Sequence, residues 1–116
     1  MEIANQDYSL LAVDIGNTNT VAGVFTGGKL AARWRVATDS RRMADEYAAL
    51  AASLFTAVDL SSRTIGGVII AGVVPAAVSS VREAVERYLT ISPLIVSPEL
   101  DLGIEVRYHP PAGVGA

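Results

Sequence analysis

The residues with the clearest capacity for chemistry lie in one short segment near the start of the chain. Its members are Asp14, Ile15, Gly16, Asn17, Thr18, Asn19, Thr20 and Val21. The apolar run 10–13 predicts a strand, and the glycine, asparagine and threonine residues after Asp14 predict a turn at its end. Gly16 lets the backbone turn tightly and approach a ligand. The N–H groups and side chains of such a turn can donate hydrogen bonds to phosphate oxygens.

Asp14 would lie beside such a phosphate group at the end of the strand. A carboxylate does not itself attract phosphate, so its expected role is to hold Mg²⁺, directly or through water. By spacing alone, the segment is also compatible with a simple hairpin turn that Asp14 caps. Residues 14–21 are therefore either a phosphate and metal site or a hairpin turn with no role in binding.

Hydrophobic periodicity predicts the elements around this segment. Residues 20–25 and 29–36, separated by two glycines at 27–28, predict two further strands joined by a hairpin. Thr38, Asp39 and Ser40 offer caps for a helix. The apolar face of that helix is predicted from residues at helical spacing, namely Met43, Tyr47, Leu50, Ala51, Leu54 and Phe55.

The second half of the chain continues with a strand, a helix and a strand. Residues 68–71 form a continuous apolar run, which is typical of a central strand buried on both faces. Pro75 suits the first turn of a helix. Apolar residues then repeat at helical spacing, at Val78, Val81, Val85, Tyr88 and Leu89. Residues 94–96 predict a short strand and residues 103–108 a weaker extended stretch. The order β-β-β-α-β-α-β predicts an α/β fold with a mixed sheet flanked by helices.

Composition limits the classes of function. The chain has 116 residues, of which 51% are hydrophobic, enough for one domain with its own core. Its net charge is −3 and its basic residues do not cluster, which argues against nucleic acid or an anionic membrane as partner. The most apolar run, residues 67–78, is shorter than a membrane span. The absence of cysteine excludes disulfides and thiolate metal sites, which fits a reducing cytoplasm.

Four blocks of the chain resemble the type III pantothenate kinases, a family in the superfamily that unites sugar kinases, actin and the heat-shock chaperone ATPases. Residues 14–21 are similar to the family's first phosphate motif. The second and third blocks are Trp34-Arg35 with Thr38-Asp39, Arg41 and Asp45-Glu46-Tyr47, and then Val73-Val74-Pro75. Tyr108 with Gly115-Ala116 is similar to the pantothenate-binding segment. The resemblance covers residues 10–116 and implies a ribonuclease H-like, actin-type ATPase lobe, preceded by an N-terminal extension at 1–9.

This resemblance implies ATP-dependent phosphorylation of the pantothenate hydroxyl, the first step of coenzyme A synthesis. It implies that residues 14–21 bind the ATP phosphates, that Asp14 contacts Mg²⁺, and that Tyr108, Gly115 and Ala116 contact pantothenate. A monovalent cation, K⁺ or NH₄⁺, and a homodimer are also implied. The proton acceptor of such kinases is an aspartate in a Gly-Ala-Asp-Arg segment. That aspartate would directly follow Ala116, so we expect a lobe truncated before the second lobe and inactive alone.

Three positions depart from the family pattern. Gly72 stands where serine is common, His109 lies near an expected acidic or amide residue, and Gly113 replaces a polar residue. These changes bear on substrate geometry and not on the fold. Two other functions stay open: a naturally short, non-catalytic kinase-like module with a binding or regulatory role, and a chaperone-like or cell-shape ATPase, for which the block at Tyr108 would be accidental.

Overall fold

The computed structural model describes residues 8–96, which form one mixed five-stranded sheet with helices. The strands are β1 (Ser9–Ile15), β2 (Asn19–Thr26), β3 (Lys29–Ala37), β4 (Ile65–Gly72) and β5 (Leu94–Val96). The helices are α1 (Ala44–Ala57) and α2 (Pro75–Ala84), and a π-helical turn (Val85–Leu89) continues α2. A 3₁₀ turn (Ser62–Thr64) precedes β4. The predicted order of elements is confirmed, and the extended stretch predicted at 103–108 lies outside the described residues.

The order of strands across the sheet is β3-β2-β1-β4-β5. The first three strands pair antiparallel, whereas β4 pairs parallel to both β1 and β5. As a result, β1, β3, β4 and β5 all end at the same edge, which we call the carboxyl edge. In the register of this edge, Ile15 pairs with Thr20 on β2 and with Gly72 on β4, and Asn19 pairs with Ala37 at the end of β3.

The hairpin between β2 and β3 turns on two glycines, as predicted. Gly27 and Gly28 both have positive φ angles, 59° and 81°. Two-residue hairpins favour such turns because their twist matches that of the flanking strands, and glycine adopts them without steric cost. The hairpin fixes the register of β3 and therefore the point at which β3 reaches the carboxyl edge.

The core lies between the two helices and one face of the sheet. It contains alternate residues of β1, together with Val24, Val68 and Ile70, and it receives Phe55 from α1 and Val81 from α2. Burying one such aliphatic side chain stabilises the fold by about 1.5–3 kcal/mol relative to exposure. Trp34 of β3 stacks on Phe55 with 5.4 Å between ring centroids. This contact joins the edge strand to α1.

The prediction that residues 68–71 are buried on both faces is wrong for the described part of the chain. β4 is an interior strand, and Val68 and Ile70 are buried, but Ile69 is 38% exposed. The reason is that the core formed with α1 and α2 lies on the face that carries Ile70. The opposite face, here called the open face, displays exposed apolar side chains at Leu10, Phe25, Leu30, Ile69 and Leu94. A continuous apolar run does not reveal whether one face or both will be covered.

The caps predicted for α1 at residues 38–40 are also wrong. The helix begins at Ala44, and the Glu46 carboxylate accepts a hydrogen bond from the backbone N–H of Met43 at 2.7 Å. The hydroxyl of Thr38 is instead engaged with Thr20, and the Asp39 carboxylate with the N–H of Arg41. The polar residues before the helix therefore organise a loop and do not cap the helix.

Exposed charges tie the two helices together. Within α2 and its extension, Arg82 forms an ion pair with Glu86, and Glu83 forms one with Arg87. Arg87 also donates to Asp45 of α1, and so does the Tyr88 hydroxyl, each at 2.7 Å. Tyr88 is 54% exposed and is thus not part of the apolar face on which the helical spacing placed it. Within residues 8–96, we find no helix with the length and apolar character needed to cross a membrane.

Candidate phosphate-binding site

The turn between β1 and β2 lies at the carboxyl edge and presents polar side chains to solvent. The N–H of Gly16 donates to the carbonyl oxygen of Asn19 at 2.9 Å, which closes the turn. Asn17, Thr18 and Asn19 are exposed. Their amide and hydroxyl groups are therefore accessible to a ligand above the edge. We call residues 16–19 the phosphate turn.

Asp14 lies next to the end of β1, with its side chain exposed. In the sheet register it is paired with Val21 on one side and Ala71 on the other. Because neighbouring residues on a strand point to opposite faces, Asp14 shares the open face with these two residues, whereas Ile15 points into the core. The carboxylate is thus held by a central strand immediately before the phosphate turn.

The junction between β4 and α2 forms the second side of the site. The N–H of Val73 donates to the carbonyl of Ile15 at 3.0 Å, so the backbone directly after β4 is bound to the end of β1. Pro75 is the first helical residue of α2, as predicted, and the first turn of the helix contains no acidic residue. The N–H groups at the start of a helix favour negative charge. The start of α2 therefore suits an anion at this edge.

Gly72 explains how β4 approaches β1 so closely at this junction. A Cβ atom built on Gly72 would lie 2.8 Å from the Cβ of Ile15 and 3.0 Å from the carbonyl oxygen of Ile15. It would also lie 2.9 Å from a methyl group of Val78 on α2. Two of these three contacts are with atoms that cannot move without moving β1. Glycine at position 72, where the family commonly has serine, therefore fits the close packing of β4 against β1 in this chain.

The loop after β3 forms the third side. The N–H of Thr38 donates to the carbonyl of Thr18 at 2.8 Å, and the hydroxyls of Thr38 and Thr20 are hydrogen-bonded at 2.7 Å. Sequence reasoning missed Thr38 as a neighbour of the phosphate turn. The only available signal was that β2 and β3 form a hairpin, which brings the end of β3 back to the start of β2.

The loop is fixed in turn to α1. The carbonyl of Asp39 accepts hydrogen bonds from the N–H of Arg42 at 3.1 Å and from the Tyr47 hydroxyl at 3.4 Å. The hydrogen bond from the N–H of Arg41 holds the pKa of the Asp39 carboxyl below its usual value. Partial burial raises the pKa of Tyr47, so its hydroxyl stays protonated at neutral pH and remains a donor.

The structure thus brings together part of the site expected from the sequence. Asp14, Asn17, Thr18 and Asn19 are exposed around one edge. The side chains of Ile15 and Thr20 are buried, so any contact of these residues with a ligand would be made by the backbone. The positions expected to contact pantothenate, namely Tyr108, Gly115 and Ala116, and the departures at His109 and Gly113 lie outside the described residues. Within residues 8–96, no three His, Cys, Asp or Glu residues cluster as a metal site.

Comparison with known proteins assigns the chain to a family. A family model described as type III pantothenate kinase matches residues 10–116. The chain belongs to the type III pantothenate kinase family. The type III pantothenate kinase of Myxococcus xanthus is 41% identical over 107 residues, an alignment that covers 92% of this chain. The chain spans about two fifths, 41–42%, of the length of the curated relatives that it matches.

Solved structures show the fold. YeaZ from Pseudomonas aeruginosa matches 91% of this chain and 50% of its own, with a TM-score of 0.58 and 18% identity. A Bacteroides thetaiotaomicron protein described as having an actin-like ATPase fold and unknown function matches 78% of this chain and 33% of its own, with a TM-score of 0.55 and 7% identity. At these identities the likeness concerns the fold alone. This member of the type III pantothenate kinase family therefore has the α/β, actin-like fold that the sequence predicted.

Proposed function

We propose that the complete protein containing this chain transfers the γ-phosphoryl group of ATP to the hydroxyl of pantothenate, and that residues 10–116 form its N-terminal lobe. The product is 4′-phosphopantothenate, and the reaction is the first step of coenzyme A biosynthesis. The observation that carries the proposal is that, in a chain of this family, a turn of exposed donors, an exposed carboxylate and the start of α2 meet at one edge of the sheet.

The phosphate turn supplies the groups that bind the nucleotide. Asn17, Thr18 and Asn19 donate hydrogen bonds to phosphate oxygens from side chains and backbone N–H groups, and the start of α2 adds a favourable dipole. Phosphoryl transfer is catalysed mainly by positioning and by stabilisation of charge. A turn braced by backbone hydrogen bonds at Gly16 and Ile15 is suited to both tasks because its donors are fixed before the nucleotide arrives.

Asp14 is the residue of the described chain that we assign to Mg²⁺. A single exposed carboxylate beside a phosphate site fits this ion, which is usually held by one or two carboxylates, by substrate phosphates and by water. When bound, Mg²⁺ neutralises charge on the transferred phosphoryl group. The carboxylate of Asp14 would hold the ion beside the phosphate turn.

The acceptor side of the reaction is assigned to residues outside the described range. Pantothenate is held by Tyr108, Gly115 and Ala116. Its hydroxyl oxygen forms a bond to the γ-phosphorus, the bond from that phosphorus to the bridging oxygen breaks, and ADP leaves. The hydroxyl proton passes to the aspartate of the family's Gly-Ala-Asp-Arg segment. A homodimer, a monovalent cation (K⁺ or NH₄⁺) and a cytoplasmic location, where ATP is abundant, complete the proposal.

The proposal is tested by measuring which alcohol the complete protein phosphorylates. Purified protein is incubated with ATP, Mg²⁺ and K⁺ and with pantothenate, glucose or N-acetylglucosamine in separate reactions, and ADP release is followed. We expect turnover with pantothenate and only background hydrolysis with either sugar. Turnover of a sugar in preference to pantothenate would contradict the assignment while leaving the phosphate turn as a nucleotide site.

A further inference from the structure

A partly buried hydrogen bond between two hydroxyl groups connects the phosphate turn with the loop after β3. The Oγ1 atoms of Thr20 and Thr38 are 2.7 Å apart, and Thr20 is only 5% exposed. A second hydrogen bond runs beside it, from the N–H of Thr38 to the carbonyl of Thr18 at 2.8 Å. Thr38 is therefore attached to the turn through its side chain and through its backbone.

The two hydrogen bonds to Thr38 lie next to the exposed donors of the phosphate turn. Thr20 is the first core-facing residue after the phosphate turn, opposite Ile15 in the sheet. Thr18 and Asn19, directly before it, are exposed donors of the site. Asn19 is the first residue of β2 and pairs with Ala37, the last residue of β3. The two bonds to Thr38 therefore lie on either side of Asn19, one to Thr18 in the turn and one to Thr20 in β2, and they attach the turn to the loop after β3.

Thr38 is itself part of an anchored loop. The next residue, Asp39, accepts a hydrogen bond from the Tyr47 hydroxyl, and Tyr47 packs against the core from α1. A chain of contacts thus runs from α1 through Asp39 and Thr38 to Thr18 and Thr20. These contacts fix the position of the turn relative to α1, which packs on the sheet.

We propose that Thr38 is a positioning residue for the nucleotide site, and that the Thr20 hydroxyl serves this role instead of contacting phosphate. The inference rests on the proposed function, because it assigns nucleotide phosphates to the turn. Removing one hydroxyl leaves its buried partner without a hydrogen bond, which is costly. The turn relieves that cost by shifting, and the donors of Thr18 and Asn19 then no longer meet the phosphates in the same geometry.

The same strands provide a matched control. The hydroxyls of Ser9 and Thr26 are also 2.7 Å apart, and Ser9 is 2% exposed. This pair joins β1 and β2 just as closely, but at the opposite end of the sheet from the phosphate turn. Its loss costs a similar hydrogen bond without touching the site. Any effect common to both pairs therefore reports stability, and any effect confined to Thr20 and Thr38 reports positioning.

The experiment compares Thr38→Val, Thr38→Ser and Thr20→Val with Ser9→Ala and Thr26→Val in the complete protein. We expect Thr38→Val and Thr20→Val to raise the KM for ATP about three- to tenfold. The KM for the acceptor should change by less than twofold. Thr38→Ser retains the hydroxyl and should behave as wild type, and the Ser9 and Thr26 variants should keep the wild-type KM for ATP. Thr38→Ala is measured in parallel, so that a folding failure of the valine variant does not decide the outcome.

ATP affinity measured by calorimetry separates this inference from the proposed function. If wild type binds ATP but does not phosphorylate pantothenate, the proposed substrate is wrong, and the same three- to tenfold loss of ATP affinity in Thr38→Val still supports the positioning role. If folded Thr38→Val and Thr38→Ala bind ATP as wild type does, the inference is overturned even where pantothenate is phosphorylated. Equal losses of ATP affinity in the Ser9 and Thr26 variants would also overturn it.

Discussion

Asp14 is the described residue on which the chemistry of the proposed reaction depends most. Its carboxylate is exposed at the end of a central strand, directly before the phosphate turn. Asp14→Asn keeps the shape of the side chain and removes its charge. In the complete protein we expect kcat to fall by about 10²–10³-fold, as on loss of other groups that stabilise transition-state charge. Steady-state kinetics measure this, with circular dichroism as the check on folding.

Asp59→Asn is the matched control for that change. Asp59 has a positive φ angle of 61°, a conformation that asparagine adopts as readily as aspartate. It follows α1 and is exposed, and we assign it no role in the site. We expect wild-type kinetics from this variant. Wild-type turnover by Asp14→Asn would remove Asp14 from the mechanism.

Gly72 should be intolerant of even a methyl group. In Gly72→Ala the new Cβ would meet Cβ and backbone atoms of Ile15 at 2.8–3.0 Å, and β1 would have to move. Overpacking of this kind costs about 1–3 kcal/mol. Thermal or urea unfolding of the variant measures the cost. Because the strand that must move carries Asp14, we also expect the KM for ATP to rise in the complete protein.

Gly67→Ala tests whether this effect belongs to the site or to any glycine of β4. A Cβ on Gly67 would meet only the end of the Leu10 side chain, which is exposed and can rotate away. We expect a small effect on unfolding and none on KM. A stability loss at Gly67 as large as that at Gly72 would show that close approach to Ile15 is not the cause.

For single residues, the sequence predicted positions that depend only on neighbouring residues in the chain. The exposed positions of Asp14 and Asn17 follow from a strand that ends in a turn, which is visible in the order of residue types. The role of Thr38 was not predictable, because its partner Thr20 is 18 residues away and the register of β2 with β3 decides that they meet. The fit of Gly72 depends in the same way on the pairing of β4 with β1.

At the scale of elements, one aromatic contact joins α1 to the edge strand β3. Phe55 is buried and stacks on Trp34, the single tryptophan of the chain. Phe55→Ala should lower the free energy of unfolding by about 3–5 kcal/mol. Tryptophan fluorescence during urea unfolding reports this loss directly, because emission from Trp34 changes when α1 leaves the sheet.

The second phenylalanine of the chain is a control of the same chemistry. Phe25 is 38% exposed on the open face. In the 116-residue chain, we expect Phe25→Ala to have a much smaller effect on unfolding than Phe55→Ala. If both variants lost equal stability, the open face would be covered in this chain, and the division of the sheet into a packed face and an open face would be wrong.

The types and order of the helices and strands were predictable from the sequence. Which surfaces of these elements pack against each other was not. Helical spacing from Tyr47 to Phe55 and the glycines at 27–28 identified α1 and the hairpin. The caps at 38–40 were mispredicted because Glu46 reaches back to the N–H of Met43 and makes a later start possible. The two-sided burial of β4 was mispredicted because local apolarity carries no information about which face the helices cover.

On the scale of the whole molecule, the open face has a consequence for the chain when it is produced alone. Leu10 and Leu30 are each at least half exposed on that face, and Phe25 and Ile69 contribute further apolar area. Exposed apolar patches of this kind promote association. We expect the 116-residue chain to be oligomeric at micromolar concentration in sedimentation experiments. Arg63, exposed in the 3₁₀ turn before β4, is the control position, where Arg63→Ala should leave the association unchanged.

Replacing two of the apolar residues should reverse that behaviour. The variant Leu10→Lys with Ile69→Lys places charges on the open face without touching the packed face, and we expect it to be monomeric. An isolated chain that is monomeric without these changes would show that the apolar face does not drive association.

The central claim is that this chain supplies the nucleotide-binding part of a pantothenate kinase. It is tested most directly by mass spectrometric detection of 4′-phosphopantothenate after incubation with ATP, Mg²⁺, K⁺ and pantothenate. The complete protein and the 116-residue chain are compared at equal concentration. We predict product from the complete protein and none from the chain alone, because the proton acceptor is assigned to the rest of the protein. Absence of product from folded, ATP-binding complete protein would contradict the account.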